Sequence, residues 1–159
     1  MITVEFRNDC RKSALDEHPF LSDISKIERL FAYAYLSSEV SSPLKDKDLH
    51  NEKEHFVSLL ITDDEKIKDL NKEYRNIDSP TDVLSFPQDD ETVFGDIVIS
   101  LDTLLRNADE LKVSPKDEYF RLLLHSFLHL LGYDHASNDF ENEPMLLLQE
   151  KILHNFQKV

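Results

Sequence analysis

The sequence predicts a fold that contains both strands and helices, with four strands and about five helices in a single domain. Some segments have the length of a strand, and in them apolar residues either alternate with polar ones or follow each other directly. Longer segments lie between them, and their apolar residues recur at helical spacing. The chain has 159 residues, the size of one domain, and 40% hydrophobic and 31% charged residues, which is typical of a globular protein. No repeat or low-complexity segment divides it, so we expect one domain over residues 1–159.

The first third of the chain predicts two strands and one helix. Residues 2–6 (ITVEF) alternate between apolar and polar and predict the first strand. Residues 8–19 are polar and predict a loop, and residues 22–25 (SDIS) begin a helix that runs to about residue 36. Residues 37–53 predict a long connection, and residues 55–62 (HFVSLLIT) predict a second, largely buried strand.

The middle of the chain adds two helices and two strands. Residues 62–65 (TDDE) fit a capping box, which makes Thr62 the predicted N-cap of a helix to about residue 74. Residues 83–86 and residues 94–100 predict the third and fourth strands, and a helix follows to about residue 112.

The last two helices follow a clear start signal. Ser114 is a favoured N-cap, and Pro115 is favoured at the first helical position. The helix predicted from there to residue 131 is apolar on nearly all sides, so we expect it to be central and buried. Residues 139–156 predict the final helix.

Three histidines stand at the end of this central helix, in the segment HSFLHLLGYDH. His125 and His129 are four residues apart, and on a helix that spacing puts both side chains on one face. Gly132 can adopt a positive φ and end the helix, so that His135 turns back towards the other two. Three neutral imidazoles leave one position open on a tetrahedral Zn²⁺, as in catalytic sites. The sequence therefore predicts one catalytic zinc ion on the central helix.

Glycine is rare enough in this chain to be informative. The sequence has two glycines, where an average chain of this length would have about 11. One is Gly132, and the other, Gly95, begins the predicted fourth strand. We expect another group to approach the backbone closely at Gly95.

A second distinctive segment, LNKEYRNIDSPTDVLSFP, covers residues 70–87. Arg75 stands where the predicted helix ends, and it is either a cation that complements the helix dipole or a functional group. Asp78, Thr81 and Asp82 are predicted to cap turns through side-chain-to-backbone hydrogen bonds.

Charge and composition exclude several classes of function. The formal net charge of −14 argues against non-specific binding of nucleic acid, so a nucleic-acid substrate would need a local positive site or a presenting partner. A single cysteine excludes an internal disulfide and a thiolate zinc cluster. The first residues lack a signal-peptide pattern, and no apolar run is long enough to span a membrane, so we expect a cytoplasmic protein.

The segments HSFLHLLGYDH, LNKEYRNIDSPTDVLSFP and GDIVIS, with their spacing, resemble the bacterial YbeY family of rRNA-maturation endoribonucleases over residues 57–153. The resemblance implies an α+β fold, with a small mixed sheet surrounded by helices. It further implies a zinc ion bound by His125, His129 and His135. It also implies cleavage of single-stranded RNA in 16S rRNA 3′-end maturation and ribosome quality control. Arg75 matches the family's functional arginine, and Arg75 and His125 are our predicted catalytic residues.

The resemblance also implies a set of partners. These are single-stranded rRNA, the small ribosomal subunit and an Era-type GTPase, with no membrane and no DNA expected. One residue departs from the family pattern, because Ser126 stands where the family usually has glycine after the first histidine.

Two other classes of function remain open from the residues. A zincin-like metallopeptidase shares the helical histidine pair but carries glutamate, its general base, after the first histidine. Ser126 occupies that position here and would leave the place beside the reacting water neutral. A non-catalytic ribosome-associated metal-binding module would need no open coordination position. The general base for phosphodiester hydrolysis is not identified, and Asp134 is either that base or a partner of a ligand histidine.

Overall fold

A computed structural model describes residues 1–40, 53–134 and 144–159 of the protein. Four strands form one sheet in the order β1-β2-β4-β3, with β1 (Ile2–Asn8), β2 (His55–Thr62), β3 (Val83–Pro87) and β4 (Val93–Ser100). The pairs β1–β2 and β2–β4 are parallel, while β3 runs antiparallel to β4 at the edge of the sheet. The predicted α+β fold with a mixed four-stranded sheet is therefore confirmed.

The helices within the described residues are α1 (Ala14–Glu17), α2 (Ile24–Leu36), α3 (Asp64–Arg75), α4 (Leu101–Leu111), α5 (Pro115–Leu130) and α6 (Pro144–Phe156). The five longer ones match the five predicted helices. The short α1 and a 3-10 turn at Pro19–Ser22 lie where the sequence predicts only loop, because four-residue helices leave no periodic pattern. Most of the long connection, and the predicted start of the last helix, lie outside the described residues.

Capping side chains explain where the helices begin. The side chain of Ser114 accepts a hydrogen bond of 3.0 Å from the backbone N–H of Asp117, as predicted. The predicted cap of α3 is wrong by one residue, because Asp63 accepts from the N–H of Lys66 at 2.9 Å. Thr62 is the last residue of β2 and still pairs with β4, so it cannot also begin the helix.

Helix α5 is the centre of the molecule, which confirms the prediction of a central, buried helix. It packs against β3 and β4 on one side and against α2, α4 and α6 on the others. The Phe127 ring on α5 stacks on Phe31 of α2, with ring centroids 4.4 Å apart. A functional group on α5 is therefore held by packing on several sides.

Gly95 and Gly132 give a matched pair of stability predictions. Gly95 has a φ of +143°, and an added Cβ would lie 2.2 Å from the carbonyl oxygen of Phe86 on the neighbouring strand. We expect Gly95→Ala to lower the free energy of unfolding by about 3 kcal/mol or more, because backbone must move within the sheet.

Gly132→Ala is the control for this prediction. Gly132 has a φ of +104°, but no described atom lies within 4 Å of its added Cβ. Only the cost of the left-handed backbone applies there, about 1–2 kcal/mol. Urea denaturation measures both variants, and equal losses would contradict the role assigned to the close approach at Gly95.

None of the helices in the described ranges has the length and apolar character needed to cross a membrane.

Candidate metal centre

The two helical histidines of the motif face each other at the C-terminal end of α5. The Nε2 atoms of His125 and His129 are 3.1 Å apart, and the two rings meet nearly edge to face at an interplanar angle of 82°. Both side chains are half-buried. The predicted placement of these two histidines on one face of the helix is therefore confirmed.

The other nitrogen of each ring is held by an oxygen atom. His125 Nδ1 lies 2.8 Å from Oε1 of Gln149, and His129 Nδ1 lies 2.7 Å from the backbone carbonyl of Tyr133. The amide of Gln149 is oriented by its own Nε2, which donates to the Glu150 carboxylate at 3.4 Å. Since both oxygens are acceptors, each Nδ1 carries the proton and each Nε2 presents a lone pair.

This donor set fits a zinc ion. Two imidazole lone pairs that face each other repel, and a cation between them removes that repulsion. Zinc–nitrogen bonds of 2.0–2.1 Å in a tetrahedral site separate two ligand nitrogens by about 3.3 Å, close to the distance between these two Nε2 atoms. Ligand histidines also usually donate their second N–H to an oxygen acceptor, as both of these histidines do.

The third predicted ligand, His135, lies outside the described residues. Within residues 1–40, 53–134 and 144–159, no group of three histidine, cysteine, aspartate or glutamate side chains forms a metal cluster. The structure therefore brings together two of the three predicted ligands, and the role of His135 stays a prediction.

Gly132 ends α5 and creates one of these contacts. The N–H of Gly132 donates to the carbonyl of His129 and the N–H of Tyr133 donates to that of Leu128, both at 3.0 Å. This pair of bonds is the Schellman arrangement, which requires a positive φ at the glycine. The same turn aims the Tyr133 carbonyl at His129 Nδ1, so the predicted helix stop also orients a candidate ligand.

A cavity of about 550 Å³ connects the histidines to Arg75. Its floor is the C-terminal end of α5 and its wall is the edge strand β3, while Arg75 reaches it from the last position of α3. The residues that line it are Arg75, Asp82, Val83, Ser85, Pro87, His125, His129, Gly132, Tyr133 and Asp134. The predicted catalytic pair of Arg75 and His125 thus shares one cavity, together with Asp134.

The loop after Arg75 is held by a contact that the sequence did not predict. Asn71 is only 3% exposed, and its side-chain amide donates to the carbonyl of Ser79 at 2.9 Å. Asn76 adopts a left-handed conformation with a φ of +58° and turns the chain away from the helix. The signal available in the sequence was an asparagine inside a predicted helix, where this residue type is unfavourable.

The predicted turn caps at Asp78, Thr81 and Asp82 have different contacts in the structure. The carboxylate of Asp78 lies 3.9 Å from the ammonium groups of both Lys68 and Lys72. The hydroxyl of Thr81 donates to the carboxylate of Asp82 at 3.3 Å. These contacts join side chains to each other, because the loop is anchored through Asn71 rather than through its own turn residues.

Ser126 does not occupy the place that the comparison with zincins assigned to it. It is fully buried, it does not line the histidine cavity, and its Oγ has no hydrogen-bond partner among the described residues. The helix turns this position away from the cavity and into the core.

Comparisons with known proteins agree on one family. A family model described as endoribonuclease YbeY matches residues 25–157. Endoribonuclease YbeY of Treponema denticola is 44% identical over an alignment of 161 residues, which covers 96% of each chain. The protein of that name in Heliobacterium modesticaldum is 45% identical over 139 residues, or 78% of each chain. A Thermotoga maritima protein solved in solution has a TM-score of 0.57 and 26% identity, covering 99% of this chain and 90% of that one.

Proposed function

The chain belongs to the endoribonuclease YbeY family, and from this premise we propose that it is a zinc-dependent endoribonuclease acting on single-stranded RNA. The main observation behind the proposal is that one cavity is lined both by Arg75 and by His125 and His129, whose Nε2 atoms face each other. We further propose 16S rRNA 3′-end maturation and ribosome quality control in the cytoplasm as its role. The small ribosomal subunit and an Era-type GTPase are the proposed partners.

His125 and His129 would hold the zinc ion, with His135 as the third ligand. A bound zinc ion supplies an activated water with a pKa near 7 and polarises a phosphoryl oxygen. Orientation of the ligands and binding of the phosphate would be the work of the protein's own side chains. His125 and His129 donate their Nδ1 protons to Gln149 and to the Tyr133 carbonyl, which orients each Nε2 as a candidate ligand for one cation.

Arg75 is the proposed phosphate-binding residue of the site. Its guanidinium can hold two oxygens of one phosphate at once and offset charge that develops as the phosphodiester breaks. Helix α3 carries four cations and four carboxylates in a chain of net charge −14, so it is less acidic than the chain as a whole. Screening weakens the effect of charges beyond about 8–10 Å, so a phosphate in the cavity would interact chiefly with the groups that line it, Arg75 among them.

Asp82 and Asp134 both line the cavity, and Asp134 is the one that belongs to the histidine motif. Two roles fit Asp134: a general base for the attacking water, or a partner that orients a ligand histidine.

Gln149 yields a prediction that separates metal binding from folding. We expect Gln149→Leu to weaken zinc binding by about 10- to 100-fold, the usual effect of losing the outer partner of a ligand histidine. Gln149→Glu keeps an oxygen acceptor for His125 and should retain most of the affinity. Gln157→Leu, at an exposed position just beyond α6, is the control. Competition with a zinc-sensitive dye measures all three, and equal affinity in Gln149→Leu and wild type would contradict this role.

Cleavage assays decide between this function and its two alternatives. We expect slow cleavage of single-stranded RNA by the wild-type protein, little cleavage of the same sequence in a duplex, and no hydrolysis of casein. The zincin alternative is weaker because its glutamate position is the buried Ser126, which supplies no base to the cavity. Casein hydrolysis that His125→Ala abolishes would replace the proposal with a peptidase. Zinc binding without RNA cleavage would favour a non-catalytic module.

A further inference from the structure

Tyr74 presents a large exposed ring beside the candidate active site. Its side chain is 62% exposed, although it lies on an ordered helix next to Arg75. The ring packs against Phe86, with centroids 5.3 Å apart and planes at 65°. A ring that packs on a neighbour and still leaves most of its side chain exposed has surface available for another ring.

The edge strand β3 divides this ring from the histidine cavity. Alternate residues of a strand point to opposite faces, so Val83, Ser85 and Pro87 line the histidine cavity while Phe86 lies on the other side. Phe86 and Tyr74 line a second cavity of about 390 Å³, and Arg7 is another of its lining residues. Tyr74 and Arg75 are consecutive residues with Cα atoms about 3.8 Å apart, yet they face these two different cavities.

We infer that Tyr74 is a base-stacking platform for single-stranded RNA, and that it binds a nucleobase next to the phosphate held by Arg75. This inference rests on the proposed function and adds to it a residue that selects single strands. Successive bases of a single strand can stack on aromatic side chains, whereas bases inside a duplex are already stacked on each other. Arg7 and Lys66 line the second cavity together with Asp96, so its cations outnumber its carboxylate and favour a polyanion along this path.

The absence of tryptophan from the chain makes a direct binding test possible. Tyr74→Trp introduces a single tryptophan at the proposed platform. Stacking of a base on the indole ring quenches its emission. We expect quenching by a ten-nucleotide single-stranded oligoadenylate. We expect little quenching by the same RNA in a duplex, and little by an abasic ribose-phosphate oligomer of equal charge. Leu36→Trp, at a residue 67% exposed at the end of α2, is the matched control and should not respond.

Binding and cleavage by substituted proteins complete the test. Tyr74→Ala should weaken binding of the oligoadenylate and raise KM by about ten- to a hundredfold, the effect of one lost base stack, while kcat changes little. Tyr74→Phe keeps the ring and should restore wild-type KM. Circular dichroism and thermal unfolding check that each variant is folded, which the exposure of Tyr74 favours.

The outcomes separate this inference from the proposed function. Equal quenching by the abasic oligomer, or an unchanged KM in Tyr74→Ala, would overturn the stacking role while RNA cleavage by the wild type stands. Quenching of the tryptophan at position 74 together with no cleavage by the wild type would support the binding platform. The same result would reject the endoribonuclease function.

Discussion

His129→Ala and His125→Ala are each expected to lose most of the bound zinc and to reduce RNA cleavage by more than ~100-fold. Each substitution removes one of two Nε2 atoms that are 3.1 Å apart and that are proposed to bind one cation. Loss of a ligand should exceed the 10- to 100-fold effect of losing a ligand's outer partner. Zinc per chain after dialysis, measured by atomic emission, and cleavage of single-stranded RNA test both parts of the prediction.

Histidines elsewhere in the chain provide the control for this result. His154 is exposed on α6, away from the histidine pair, and His154→Ala should keep both zinc and activity. His135→Ala belongs in the same series, and we expect it to lose zinc like the first two variants. Full zinc content in His125→Ala and His129→Ala would reject the metal centre.

Arg75→Ala is expected to lower RNA cleavage by ~100-fold or more while zinc content and folding are retained. Removal of one preorganised donor from a transition state has an effect of this size. Arg75 is exposed at the end of α3, so its removal leaves no buried group without a partner. Single-turnover cleavage, zinc content and thermal unfolding, measured on one preparation, distinguish the catalytic role from a structural one.

Two further substitutions sharpen this result. Arg75→Lys should restore little activity, because an ammonium group lacks the two-pronged donor geometry of guanidinium. Lys72→Ala removes a cation of the same helix that does not line the histidine cavity, and it should change cleavage only slightly. Unfolding of the Arg75→Ala protein at room temperature would indicate instead that Arg75 has a structural role, as a cation that complements the helix dipole.

Local signals in the sequence account for most of the fold. Three predictions relied on neighbouring residues alone: the helix start at Ser114 and Pro115, the burial of α5, and the four strands. The structure confirms all three. The close approach at Gly95 was also expected, because a glycine in a strand has few other reasons to be there. The order of the strands depends on contacts between distant segments, and no local pattern encodes it.

The candidate site was predicted in part, for the same reason. The spacing of His125 and His129 places both on one face of a helix, so local geometry sufficed. Gln149 is 24 residues from His125 and reaches it only after α6 packs against α5, so sequence spacing had no means of pairing them. The Tyr133 carbonyl belongs to the backbone, and a sequence pattern does not identify backbone acceptors.

Zinc-dependent cleavage of RNA by protein stripped with a chelator and then reloaded is the decisive test of the proposed endoribonuclease. Bound zinc and the rate of cleavage of one single-stranded RNA are measured on the same samples as zinc is added back. We predict that the rate rises in proportion to bound zinc and levels off at about one ion per chain, while His129→Ala stays inactive throughout. Cleavage by the stripped protein at the full rate, or equal cleavage by His129→Ala, would contradict the account.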